Sequence, residues 1–218
     1  MITLSNLKTI TLVCLIGVGL LVQGSRAHAA GSETLTVAGG CFWCVEADFE
    51  GVEGVTNAVS GYTGGTTTDP TYKQVTGGDT GHYEAVQITF DPEVISARAL
   101  LDMFFRSVDP TDAGGQFCDR GDSYRTAIFA TPDQIAAAAD AKQDAQAELG
   151  QDIVTPVLDA AQFYPAEEYH QDYATGSGLV LTRFGPKSQA KAYKAYREAC
   201  GRDQRVKQLW GSAASFAG

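Results

Sequence analysis

The sequence predicts an α+β fold: a two-layer, ferredoxin-like βαββαβ core followed by extra C-terminal helices and coil. Three observations carry that expectation. Between Glu33 and Ala130 the elements alternate as β-α-β-β-α-β, an order that places both helices on one face of an antiparallel-rich sheet. The run HYEAVQITF (His82 to Phe90) alternates with the period of two of a strand. The run SARALLDMFFRSV (Ser96 to Val108) sets Ala97, Leu100, Leu101, Phe104 and Phe105 at helical spacing.

The elements follow in order. Glu33 to Ala38 is a short strand with Leu35 and Val37 on one face, and CFWCVEADFEGV is a helix beginning near Cys41. Val55 to Tyr62 is a strand closed by the turn TGG, and the polar loop TTTDPTYKQVTGGDTG leads to the strand at His82. After the helix at Ser96, Arg125 to Ala130 is the fourth core strand. Thr131 to Gln134 has capping-box spacing with Pro132 at the first helical position, and this helix should run to Gly150. Beyond it, IVTPVLDA reads as strand, and PAEEYHQDYA and KSQAKAYKAYREAC read as helix. Gly201 is a helix stop, which sets Cys200 beside a mobile end.

Residues 1–30 are expected to be a cleaved signal peptide. One lysine precedes an apolar run from Ile10 to Val22, which ends in the small-x-small pattern Ala27-His28-Ala29. The run is shorter than the roughly 20 residues of a membrane-spanning helix. The expectation is export to the periplasm without stable membrane insertion, and a single catalytic domain over residues 31–218. The chain carries 16 basic and 26 acidic residues, a formal charge of −10. Lys8 and Arg26 lie in the leader, so the remainder is more negative still. Such a balance disfavours nucleic acid and anionic membranes as partners.

Cys41, Cys44, Cys118 and Cys200 remain after cleavage. In an exported protein, an even count is first a disulfide framework. That reading suits Cys118 and Cys200. It suits Cys41 and Cys44 less, because so short a closure restrains little chain entropy. Cys41 follows Gly39-Gly40 where a strand turns into a helix. There unpaired N–H groups and the helix dipole should lower its pKa and make it a nucleophile. Glu84 shares a strand face with Val86, Ile88 and Phe90. It is therefore either an exposed strand-end acid or a buried carboxyl kept neutral by desolvation and able to donate a proton. Phe42 and Trp43 are core residues or the wall of a pocket for a methyl thioether. Cys44, at i+3 from Cys41, can pair with it as a redox couple. His82 and His170 have no tight second Cys/His cluster beside them, which disfavours zinc.

Four stretches together resemble the A type of peptide methionine sulfoxide reductase. They are GGCFWCVEADFEGVEGVTNAVSGYTGG, TYKQVTGGDTGHYEAVQITFDP, QFCDRGDSYRTAIF and FYPAEEYHQDYA. They occur in the family's order, and the likeness spans nearly all of Leu35 to Gly211. The resemblance implies that Cys41 attacks the sulfoxide sulfur and that Phe42 and Trp43 hold the substrate methyl group. It implies that protonated Glu84 donates to the sulfoxide oxygen, helped by Tyr72 and Tyr124, with Asp119 ordering this network. It further implies action on the S epimer, in oxidised proteins or peptides and in free methionine sulfoxide. A Cys41 sulfenic acid is resolved to a disulfide, and a thioredoxin-like reductant restores the thiols with no metal or organic cofactor. The resolving thiol is Cys44 or Cys200, with Cys118 third. Two positions depart from the familiar pattern: Ser123 stands where the family usually has Gln, and Cys118 precedes Asp119. Two rival readings remain. One is a thioredoxin-like disulfide exchanger using Cys41 and Cys44. The other is a static exported binding module stapled by Cys41–Cys44 and Cys118–Cys200.

Overall fold

The computed structural model describes residues 31–183 and 185–218, so the expected leader lies outside the described residues. Residues 32–218 form one compact unit. The core elements are β1 (Glu33–Gly39), α1 (Phe42–Glu50), β2 (Val55–Thr63), α2 (Tyr72–Gly77), β3 (Tyr83–Phe90) and α3 (Ala97–Phe105). Two short strands, β4 (Gly115–Gln116) and β5 (Asp119–Arg120), precede β6 (Thr126–Ala130) and α4 (Ile135–Leu149). Then come β7 (Val157–Asp159), β8 (Tyr164–Pro165), the hairpin β9 (Leu179–Thr182) and β10 (Gly185–Ser188), α5 (Gln189–Cys200) and α6 (Arg202–Trp210).

Six strands form a mixed sheet in the order β7-β6-β1-β3-β2-β8. Only the β6–β7 pair within it is parallel. The fold is thus α+β, as the sequence predicts. Strand alternation sorts the side chains. Leu35, Val37, Val86, Ile88, Phe90 and Ile128 enter the main core with α1 and α3, while Ala38, Tyr83, Ala85, Ala127 and Phe129 pack beneath Leu158 and Phe163. A Cβ on Gly39 would meet Val45 of α1 at 3.0 Å and Phe104 of α3 at 3.1 Å. Both helices therefore lie on the same face of β1. Leu100, Leu101, Phe104 and Phe105 of the α3 stripe are fully buried, and its N terminus is capped by Ser96 Oγ, which accepts from Ala99 N at 3.2 Å. Helix α4 presents the buried alanines Ala138, Ala141 and Ala145, small enough for close helix packing. The ion pairs Arg98–Asp144 and Arg106–Glu148 tie it to α3.

Three expectations need correction. The helix after Pro132 starts at Ile135, although Gln134 Oε1 does reach back to accept from Thr131 N at 3.2 Å. The segment PAEEYHQDYA is not a helix but a short strand and a 3-10 turn over Glu168–His170. Its side chains serve as braces instead. Gln171 Oε1 accepts from Ser60 N at 2.9 Å and its Nε2 donates to Ser60 O at 3.0 Å, a hydrogen-bond pair that imitates a neighbouring strand. Finally, Cys200 is not beside a loose end. Gly201 turns the chain at φ +67°, and α6 then buries Arg202, Val206 and Trp210.

Candidate active site

The turn from β1 into α1 places Cys41 at the helix N-cap, with φ −50° and ψ 117°. Phe42 and Trp43 project from the first turn. Glu84 lies near the start of β3, opposite Tyr62 of β2. Its side chain is 1% exposed, and its Oε2 accepts from Phe42 N at 3.0 Å. Of the two readings open for Glu84, the buried carboxyl is the one observed. Tyr72 opens α2, where its N–H donates to Glu167 Oε1 at 3.0 Å. Tyr124 ends a 3-10 turn over Asp122–Tyr124 and faces the same cavity as Glu84 and Tyr72.

Cys41, Phe42, Trp43, Tyr72, Glu84, Asp119, Tyr124 and Tyr196 line one cavity of about 110 Å³. The structure brings together the candidate nucleophile, acid, tyrosines, Asp119 and aromatic wall. It adds Tyr196, which sequence reasoning missed. The sequence holds only a partial signal: Tyr196 stands four residues before Cys200 on α5, hence on the same helical face, which does not say what that face meets. Its hydroxyl donates to Asp119 Oδ2 and lies 3.7 Å from Cys118 Sγ. His170 and Tyr173 were also missed as supports. Trp43 Nε1 donates to His170 Nδ1 at 3.1 Å, and the Trp43 ring stacks on Tyr173 at 3.8 Å and 7°. These contacts fix the indole in one orientation. A shallower groove of about 370 Å³ adjoins the cavity and shares Trp43 and Tyr196 with it, bounded further by Tyr173, Ala192, Thr182 and Arg183.

The electrostatics support an uncharged acid and correct one expectation. Burial pushes the Glu84 carboxyl up to about 8, and the nearby Asp119 adds to this against the opposing Phe42 hydrogen bond. Near neutral pH this group is mostly protonated. Cys41, however, is not lowered by its place at the helix start. Its hydrogen bond with Cys44, its burial and the Glu84 and Asp119 carboxylates push it well above the ordinary cysteine range. One N–H of that helix start, Phe42 N, is in addition taken by Glu84. Cys44 shifts downward, because the hydrogen bond with Cys41 and the Arg202 and Arg197 guanidinium groups favour its thiolate. The two thiols therefore titrate as a pair.

Cys41 and Cys44 are free and buried, 7% and 3% exposed, whereas Cys118 and Cys200 are joined in a disulfide with Cα atoms 5.0 Å apart. A static module stapled at both pairs is not what is observed. Two further groups of acid or sulfur side chains converge among the described residues, Cys118-Asp119-Cys200 and Glu46-Glu50-Asp172. The cysteines of the first are bonded to each other, and Glu46 of the second already accepts from Ser60 N and Asp172 N.

Comparison with known proteins gives a consistent result. Residues 33–213 match the family model described as peptide methionine sulfoxide reductase. The chain is 47% identical over 204 residues to peptide methionine sulfoxide reductase MsrA 2 of Caulobacter vibrioides, covering 92% of this chain and 98% of that one. It is 46% identical over 182 residues to the MsrA of Bacillus licheniformis, covering 82% and 94%. Among solved structures it resembles reduced Mxr1 of Saccharomyces cerevisiae, with TM-score 0.64 and 34% identity over 70% of this chain and 90% of that one. It also resembles methionine sulfoxide reductase A of Corynebacterium diphtheriae, with TM-score 0.62 and 30% identity over 69% and 77%.

Proposed function

Because the chain belongs to the peptide methionine sulfoxide reductase family, we propose that Cys41 is the nucleophile of a thiol-dependent reduction of methionine S-sulfoxide and Glu84 its proton donor. The observation that carries this reading is the single small cavity shared by Cys41, Glu84, Tyr72 and Tyr124. A sulfoxide oxygen leaves sulfur only once it is protonated. Glu84 supplies that proton, and the two tyrosine hydroxyls hold the developing charge. Cys41 Sγ attacks the sulfoxide sulfur, and the thiol proton replaces the one Glu84 gave. The oxygen passes to Cys41 as a sulfenic acid and methionine departs, its sulfur reduced by two electrons. Phe42 and Trp43 enclose the methyl group. Asp119, bonded to Tyr196, orders the far wall.

Cys44 resolves the sulfenic acid. Its thiol displaces the hydroxyl from Cys41 sulfur, forming a disulfide and releasing water. Its place one helical turn from Cys41, with both thiols free and buried, favours it over Cys200 and Cys118, which are committed to each other. A thioredoxin-like dithiol then restores both thiols by exchange. The cavity accommodates the end of one side chain, and the adjoining groove offers room for the flanking polypeptide. That supports oxidised proteins and peptides as substrates, with free methionine sulfoxide as a smaller one. The central strands, antiparallel in the order β6-β1-β3-β2, support reading the core as ferredoxin-like βαββαβ. The charge and leader pattern of the sequence support a cleaved signal peptide at residues 1–30, a periplasmic catalytic domain and no nucleic-acid partner.

Replacing Cys41 by Ser should abolish turnover while leaving the circular-dichroism spectrum and melting profile in place. Retained activity in that variant would end the assignment. In the wild-type protein, peptide mass mapping after one turnover without reductant should find Cys41 joined to Cys44. A Cys41–Cys200 link would instead transfer the resolving role.

A further inference from the structure

The Cys118–Cys200 disulfide takes no part in the chemistry just described, yet it lies against the wall of the cavity. It is the middle of three contacts joining the β4–β5 turn to the α5–α6 junction. On one side, the Arg202 guanidinium sits over the Phe117 ring at 4.8 Å. On the other, the Tyr196 hydroxyl donates to Asp119 Oδ2. The rungs run in sequence, 117 to 202, 118 to 200 and 119 to 196. Phe117 holds a left-handed φ of +54°, a conformation an aromatic residue keeps only when its surroundings enforce it. Both segments also press on the nucleophile's own turn. Gln116 packs against Gly40 so closely that a Cβ there would meet it at 2.5 Å. Arg202 Nη1 donates to Gly39 O at 3.2 Å.

We propose that Cys118–Cys200 is a permanent positioning staple that holds Asp119 and Tyr196 against the catalytic cavity, and not a carrier of electrons in turnover. A covalent bond beside the Asp119–Tyr196 pair limits how far either residue can drift. A displacement of about 1 Å near reacting atoms can cost about 100-fold in rate. Cys118 and Cys200 are thus positioning residues that act through Asp119 and Tyr196. The inference rests on the Cys41–Cys44 reading above, and the experiment separates the two.

The Cys118→Ser/Cys200→Ser double variant, followed through a single turnover on a methionine-sulfoxide peptide with no added dithiol, should lose about tenfold or more in rate. Introduced on top of Tyr196→Phe, the same change should cost less than about twofold, since the contact it protects is already gone. Activity within twofold of wild type, or an equal loss in both backgrounds, would overturn the staple. Should the double variant fail to fold, burst stoichiometry in wild-type protein decides. Fully pre-reduced enzyme given excess peptide sulfoxide, without air or reductant, should release one mole of methionine per mole of protein. Two moles would make Cys118 and Cys200 electron carriers and refute the proposal. No burst at all would instead strike the Cys41 reading itself.

Discussion

At the scale of single residues, the decisive pairing is a buried thiol and a buried carboxyl that must not both be charged. Glu84 is held up to about 8 chiefly by burial, so its acid form declines as pH rises through that value. Turnover should decline with it, and kcat should show an alkaline limb near pH 8. Glu84→Gln keeps a hydrogen-bond donor but no transferable proton. It should run about 100-fold or more below wild type at pH 7 and lose that limb, as a pH–rate profile would reveal. The sign for stability follows from the same shift. The folded carboxyl binds its proton more tightly than an unfolded glutamate near 4.3, so the folded protein is favoured below that value and loses stability as pH climbs towards 8. Urea melts of the Gln variant at pH 5 and pH 8 should lack this component of the decline. An identical slope in both proteins would mean that Glu84 is ionised in the folded state throughout.

At the scale of elements, the turn from β1 into α1 depends on Gly40, whose φ is +83° and whose missing side chain admits Gln116. Gly40→Ala adds a Cβ where there is no space and strains the backbone, so several kcal/mol should be lost. Denaturant unfolding measures this, and activity per folded molecule should fall as Cys41 is displaced. The turn was legible in the sequence because glycine pairs before a helix have local causes. So were β1, β3 and α3, whose apolar periods of two and 3.6 match the faces they bury. PAEEYHQDYA was misread for a corresponding reason. Its helix-compatible residues are engaged by distant partners, Gln171 by Ser60 and Glu167 by Tyr62 and Tyr72, and no local pattern reports those. The lowered Cys41 pKa failed likewise, since Cys44, burial and the Glu84 and Asp119 carboxylates outweigh the helix end, and burial and those two acids are set by tertiary packing. Tyr196 reaches the cavity only because α5 folds back over the β4–β5 turn, a tertiary fact that a helical wheel does not contain.

At the scale of the whole molecule, one buried guanidinium links the C-terminal helices to the catalytic core. Arg202 is 2% exposed. It donates to Gly39 O and to Ser107 O, the latter at 2.9 Å, and meets Asp48 Oδ2 at 3.5 Å. Asp48 on α1 is also paired with Arg197 at 2.7 Å. Burial nonetheless holds its carboxyl above the ordinary range, with both guanidinium groups opposing. Arg202→Met would roughly fill the volume but leave two buried carbonyls without their donor and Asp48 with half its neutralisation. Breaking a buried pair in this way costs about 3–5 kcal/mol, on the order of 10 °C in melting temperature for a domain of this size. The deficit should depend on pH. With Arg202 gone the folded Asp48 binds its proton more tightly still, so the variant recovers part of its stability in acid, where Asp48 is neutral, and loses it again as pH rises and the acid must ionise. Urea melts of both proteins at pH 4.5 and pH 7.5 test this, with the larger gap expected at pH 7.5. An equal gap at both values would show that Arg202 stabilises the fold through its carbonyl partners alone, without a share in neutralising Asp48.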